Sequence, residues 1–315
     1  MAVEPRRISG RSMLVHAEQT ARVLSSGGAG HGRVVYCEVQ APPSPVPRGS
    51  GARRPSRSPL HRMIDLHSHV LPAVDDGAEN LAMSLALLRA SADGGITQIA
   101  ATPHVRADYP TTPETMERGV AELNAAAREA GIPVVVLAGG ELDIEEMARF
   151  DDSTLARFGL GGNPSALLIE CPYVGWPPGL RILTSSLAAR GFAVVLAHPE
   201  RNPVVQANPA VLRPLVDDGV LVQLTASSVD GRLGSSSKRA SRALLDGGLA
   251  HLVASDAHST VVRPAGLAAA VASLEDPELA RWLTEDVPGA IVHGADLPPR
   301  PGRVRRSRLR LRRPW

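Results

Sequence analysis

Cysteine is nearly absent from this sequence: Cys37 and Cys171 are the only two in 315 residues. They stand in unrelated contexts and offer neither a disulfide framework nor a paired-cysteine zinc knuckle, which argues against a stapled scaffold and against redox chemistry. Also missing is any apolar run near the ~20 residues that span a bilayer, and the N-terminus has no apolar stretch of a secretory signal. The expectation is a cytoplasmic protein. Net charge is small, +2, but uneven: arginines crowd the two ends and the middle holds most of the carboxylates.

What is present divides accordingly. Residues 1–62 are rich in Arg, Gly, Ser and Pro, as in APPSPVPRGSGARRPSRSPLHR, with no sustained apolar period. Such a segment buries too little apolar surface to offset its ordering entropy, so a disordered extension is expected, with a basic arm for nucleic acid or an anionic surface as the alternative. Translation starting at Met63, just before the first strand-like run, is the favoured reading of this boundary. Residues 298–315 form a second basic end, RPGRVRRSRLRLRRPW from Arg300, suited to an anionic membrane surface or an acidic partner, or simply solvated. The 43% hydrophobic content is enough for one large core or two ordinary domains.

Between the ends, residues 63–297 alternate short apolar runs with amphipathic stretches. The runs are MIDLHSH, ITQIAATPH, IPVVVLAGGE, ALLIE, FAVVLAH, VLVQLTA and AHLVASDAH; stretches such as ENLAMSLALLRASADGG and PETMERGVAELNAAAREAG lie between them, and RPAGLAAAVASLEDPELARWL closes the series. Strands separated by helices of this length predict parallel β/α units, since parallel neighbours require a crossover. The fold class is therefore α/β, and seven units in succession predict a distorted seven-stranded TIM-like barrel in one domain, with an open doubly wound sheet as the alternative.

The polar residues of these runs gather at one end. His104, Glu141, Glu170, His198 and Asp256 each terminate a run otherwise almost free of charge, which in a β/α barrel brings them to the C-terminal face where active sites form. His67 and His69 are two residues apart on the first strand, so both imidazoles point the same way; Asp256 and His258 repeat the spacing on the last. A lone His or Glu at a strand end is ordinarily a hydrogen-bonded loop residue. Several carboxylates converging on one edge are costly without a counter-cation, and that tips the reading to metal binding. Three carboxylates and five imidazoles make eight donors, enough for two or three divalent ions, whose residual positive field suits a phosphate. Mixed nitrogen and oxygen donors without thiolate suit Mn²⁺, Zn²⁺ or Fe, and the donor types alone do not choose among them. Ions in such clusters lower the pKa of bound water towards ~7 and so supply a nucleophile.

Covalent routes to phosphate transfer are not supported. A cysteine nucleophile needs an Arg six positions later, where Pro43 and Pro177 stand; a phosphoaspartyl enzyme wants Asp-x-Asp on the first strand, where Asp65 is followed by Leu66 and His67.

The motifs DLHSHVLPAVDDGA, ATPH, GGELDI, LLIECP, AHPERN and SDAH followed by VVRP, in unbroken order from Met63 to about Asp296, resemble the PHP-family tyrosine-protein phosphatases of bacterial capsule and exopolysaccharide loci, the CpsB/CapC type. The resemblance implies a PHP-type barrel with a trinuclear manganese cluster, and as ligands the same eight residues: His67, His69, His104, Glu141, Glu170, His198, Asp256 and His258. It also gives roles to Arg201 and Arg263, whose guanidinium groups would bind the non-bridging phosphate oxygens. Two positions depart from the family: Val105 where a second His is common, and Gly140 where the family has Gln. Asp75 and Asp76 read as turn-shaping residues or as carboxylates that orient ligands.

The function implied is hydrolysis of phosphotyrosine on a protein, a membrane-associated bacterial tyrosine kinase that controls capsule or exopolysaccharide synthesis. The protein would then work in the cytoplasm at the inner face of the membrane, with no specific nucleic-acid partner. A small-molecule phosphatase of the histidinol-phosphatase type and a non-catalytic, metal-bound regulatory module are the alternatives.

Overall fold

A computed structural model describes residues 62–261 and 263–302. The expectations for the Arg/Pro/Gly-rich extension and for most of the basic C-terminal end fall outside them.

The fold is α/β. A parallel sheet of three strands joins β1 (Met63–Asp65), β2 (Ile96–Ala100) and β5 (Val135–Leu137) in the order β1-β2-β5. A second sheet contains β3 (His104–Arg106), β4 (Tyr109–Pro110), β6 (Glu141–Leu142), β7 (Ala166–Glu170), β8 (Ala193–Ala197), β9 (Leu221–Thr225) and β10 (Leu252–Ala254), ordered β10-β9-β8-β7-β6-β3-β4. Its pairings are parallel except the antiparallel β3–β4 hairpin. The residues of β7 and β9 are all buried, which is why these strands read as continuous apolar runs and not as alternating ones.

Two of the seven apolar runs are each broken into two strands. Within ITQIAATPH, Pro103 has no N–H to give to a ladder, and Thr102 turns its amide to Ser68 O at 2.8 Å. Within IPVVVLAGGE, Gly139 and Gly140 separate β5 from β6. Past β1 and β10 the chain still pairs: Ser68 bridges Ala257 in parallel, with His69 N donating to Ala257 O and Asp256 N to His67 O, both at 2.8 Å.

Helices cover the strands, and side-chain caps explain where they begin. Asn80 accepts from Met83 N at the start of Leu81–Asp93, and Thr112 from Thr115 N before Pro113–Glu129, whose first residue is the proline that this position favours. The expected closing helix is divided into Ala268–Leu274 and Pro277–Arg281, because Glu275 takes a left-handed conformation (φ 55°) and Pro277 begins a new helix capped by Asp276. Among the described residues past 297, Pro298 and Arg300 are tied to the body. Trp282 Nε1 donates to Pro298 O at 3.0 Å, and Arg300 donates to Ala250 O (2.6 Å) and Leu245 O (2.9 Å) with its guanidinium over the Trp282 ring.

Candidate metal centre

All eight residues chosen by strand-end position are buried and lie together. His67 and His69 follow β1, His104 opens β3, and Glu141 opens β6 directly in register with His104. Glu170 ends β7, His198 follows β8, and Asp256 and His258 follow β10. Glu141 sits centrally: its Oε2 is 3.3 Å from His67 Nε2, 3.4 Å from His69 Nε2 and 3.0 Å from His104 Nδ1, while Oε1 is 2.7 Å from His198 Nε2. Asp256 Oδ1 lies 3.5 Å from His67 Nε2 and 3.4 Å from His69 Nε2. Those two imidazole nitrogens are themselves 3.3 Å apart.

Such convergence is not a satisfied hydrogen-bond network. His104 Nδ1, Glu141 Oε2, His198 Nδ1, Asp256 Oδ1 and His258 Nε2 are buried and, although some lie close to one another, none has a protein partner aligned for a hydrogen bond. A buried polar atom left so costs about 1–3 kcal/mol, and more when charged, so five in one place call for cations. Three sets of donor atoms each lie within 4.8 Å of one another: His67, His69 and Glu141; His104, Glu141 and Glu170; and His69, Asp76, His104 and His258. The donor set fits two or three divalent ions. Asp76 joins the third set, with Oδ1 3.4 Å from His104 Nε2 and 3.2 Å from His258 Nε2. His198 and Asp256 belong to none of the three sets and reach the cluster through their contacts with Glu141, His67 and His69.

Other residues fix the ring orientations. Asp75 Oδ2 is 2.6 Å from His69 Nδ1, which turns Nε2 toward the cluster, and the same carboxylate accepts from His104 N and Gly77 N, each at 3.0 Å. Gly77 is needed there because an added Cβ would sit 2.1 Å from His69 O. Gln223, in the middle of β9, accepts from His67 Nδ1 at 3.0 Å and from His198 N at 3.3 Å. His198, Asp256 and Arg263 have positive φ (36°, 52° and 48°), conformations that cost a non-glycine residue of order 1–3 kcal/mol and are typically retained at working sites. Asp256 Oδ2 holds Arg201 Nη1 at 2.7 Å and Arg263 Nη1 at 2.8 Å, so both arginines stand at the edge of the donors.

The electrostatics follow from this packing. Burial opposes ionisation of Glu141 and Asp256, but the surrounding histidines overcome it and hold both carboxylates well below their ordinary range. Burial and the neighbouring Glu141 instead push Glu170 up to about 7. Burial lowers His198 to about 4, so it is a neutral donor near neutrality.

Residues 63–281 match the profile of a family described as capsular polysaccharide synthesis, CpsB/CapC. The chain belongs to the CpsB/CapC family. It is 37% identical over 202 residues to the tyrosine-protein phosphatase YwqE of Bacillus subtilis, covering 64% of this chain and 79% of that protein. It is 29% identical over 218 residues to the tyrosine-protein phosphatase CpsB of Streptococcus pneumoniae, covering 64% and 85%. A crystal structure from work on YwqE and CpsB, described there as unique metal-dependent tyrosine phosphatases, superposes with a TM-score of 0.70 at 32% identity, covering 76% of this chain and 100% of that one.

The departures from the CpsB/CapC motifs have visible causes or consequences. At Gly140 a Cβ would meet Phe158 Cδ1 at 2.7 Å, so the buried Phe158 ring occupies the space a longer side chain would need. Val105 is buried in β3 and paired with Leu142, and so offers the site no polar group. Cys171 is also buried, and burial, with Glu200 and Glu170 adding to it, pushes its thiol well up, the opposite of an activated nucleophile. Sequence reasoning overlooked Gln223. Its signal was a lone amide inside the apolar run VLVQLTA.

Proposed function

We propose that the chain is a metal-dependent phosphatase of protein phosphotyrosine, in which His67, His69, His104, Glu141, Glu170, His198, Asp256 and His258, joined by Asp76, hold two or three ions. Manganese is the first choice, with iron and zinc also suited to mixed imidazole and carboxylate donors. The observation that carries the reading is the division of labour within Asp256: one oxygen faces His67 and His69, and the other holds Arg201 and Arg263. Two guanidinium groups are thereby fixed beside the donors, where a phosphoryl group would meet both. Divalent ions held there supply Lewis acidity toward phosphoryl oxygens and acidify water at neutral pH. Arg201 and Arg263 bind the non-bridging oxygens and stabilise their developing charge without reorganising, because Asp256 already orients them. A tyrosine leaving group, with a pKa near ~10, needs less help from an acid than an alkyl alcohol.

The names of the relatives support phosphotyrosine as the substrate, and a membrane-associated tyrosine kinase of a capsule or exopolysaccharide system is the protein partner we assign. With that partner the enzyme would work in the cytoplasm at the inner face of the membrane. We also read the two sheets as one distorted barrel, closed where Ser68 and His69 meet Ala257 and where Thr102 meets Ser68.

Replacing His67 and Asp256 with alanine should remove bound metal, measured by elemental analysis, together with hydrolysis of an aryl phosphate. Full activity in that double variant defeats the reading. Faster turnover of histidinol phosphate than of a phosphotyrosyl peptide would move the assignment to a small-molecule phosphatase. Metal retained with no turnover of either would leave a binding module.

A further inference from the structure

Tyr173 takes no part in the chemistry above, yet it stands against it. The segment Cys171–Pro178, CPYVGWPP, begins one residue after Glu170. The Tyr173 ring lies nearly parallel to that of His198, with centroids 5.6 Å apart and planes 9° apart, and the Arg201 guanidinium carbon is 4.7 Å from its centroid. Asn202 fixes this arrangement: its side-chain amide donates to Pro172 O at 2.6 Å and to Gly175 O at 2.7 Å, and its oxygen accepts from Val204 N at 2.8 Å. The stretch that carries His198 and Arg201 therefore also clamps the loop that carries Tyr173.

A cleft of about 590 Å³ opens beside the donors, lined by Glu170, Arg106, Pro172, Tyr173, Trp176 and Pro177 among others. Its lining thus joins a member of the metal-binding set to aromatic and prolyl side chains. Tyr173 is 39% exposed, and Val174 beside it 87%. Apolar rims of this kind beside a polar centre suit a ligand with an anionic head and an apolar body. Ions held by the donor set and the two arginines would meet only the phosphoryl group, which is the same in an aryl and an alkyl ester, so they would offer no ground-state discrimination between the two.

We propose that Tyr173 and Trp176 form an aryl subsite against which the phenyl ring of phosphotyrosine packs, so that this loop selects aryl over alkyl phosphates. The assignment of the natural substrate rests on the phosphatase reading above, but the subsite is tested by binding. A packed aromatic pair contributes about threefold to tenfold in affinity. Calorimetry on the manganese-loaded full chain should give tighter binding of phenylphosphonate than of methylphosphonate. Tyr173→Ala should weaken phenylphosphonate by about threefold to tenfold and leave methylphosphonate within about twofold, while Tyr173→Phe leaves both unchanged. Equal weakening of both ligands in Tyr173→Ala overturns the proposal, because the ring would then serve only to position His198 and Arg201. It is overturned too if neither affinity changes, if Tyr173→Phe loses the preference, or if the wild type does not favour phenylphosphonate. Should Tyr173→Ala fail to fold, Trp176→Ala makes the same comparison. Turnover of a phosphotyrosyl peptide, followed in parallel, judges the phosphatase reading separately. No turnover with the phenyl preference intact defeats that reading and leaves the subsite standing; turnover without the preference does the reverse.

Discussion

Asp75→Asn is a near-isosteric change that should weaken metal binding without touching a ligand. Asp75 receives three donors on two oxygens: His69 Nδ1 at 2.6 Å and His104 N at 3.0 Å on Oδ2, and Gly77 N at 3.0 Å on Oδ1. Asparagine has one acceptor and one donor in their place, so neither orientation of the amide serves all three. With the amide nitrogen toward Gly77, two N–H groups face each other in a turn where Gly77 is already pressed against His69. With it toward His69, the imidazole must present Nδ1 as an acceptor and carry its proton on Nε2. That nitrogen faces Glu141 and Asp256 and then has no lone pair for an ion. A buried donor facing a donor costs about 1–3 kcal/mol. Loss of a carboxylate that orients a ligating histidine typically lowers metal affinity about 10- to 100-fold. The assay is competition for Mn²⁺ against a chelating dye at fixed pH, paired with urea unfolding in excess chelator. Affinity within about twofold of wild type, alongside a stability loss of the predicted size, would reduce Asp75 to a turn residue and refute the reasoning.

Arg201→Ala should lower kcat/KM for a phosphotyrosyl peptide by about 10²–10³ with metal content unchanged, and Arg201→Lys should recover little because a point charge does not replace the guanidinium fork; metal loss would mean that Arg201 acts only by holding Asp256. Gly140→Ala drives a Cβ to 2.7 Å from Phe158 Cδ1 and should destabilise the fold by about 1–3 kcal/mol in urea unfolding, whereas wild-type stability would place the slack in the Phe158 ring. His251 is lowered from 6.5 to about 4 by burial and by Arg300, and as a neutral ring its Nδ1 accepts from Val222 N. The folded state resists a proton that the unfolded chain binds below 6.5, so this contribution is whole above pH 6.5 and is lost as pH falls to about 4, by up to about 3 kcal/mol. The difference in unfolding free energy between wild type and His251→Gln should therefore shrink over that range, and a pH-independent difference would contradict it.

The donor residues were legible because His104, Glu141, Glu170, His198 and Asp256 each end an apolar run, and so many ionisable side chains at one edge of a sheet call for a counter-cation. The strand breaks were not, since Pro103 and the Gly139–Gly140 pair interrupt runs whose composition stays apolar on both sides, and periodicity cannot register a change of ladder partner. Asp75 and Asp76 are adjacent in one turn and chemically identical, but Asp75 is turned inward by His69 and two backbone amides while Asp76 reaches His104 and His258. Which does which is set by these contacts with distant segments and not by the turn's own sequence. Gln223 lies at the same limit: an amide inside a buried strand marks a constraint, and its partner His67 is 156 residues away in sequence. Ligands can be read from local pattern because six of the seven apolar runs end in one. The groups that orient them arise from packing between distant segments, and for that reason Tyr173, fixed by Asn202 against His198 and Arg201, had no signature in the sequence beyond an aromatic residue in a proline-rich loop.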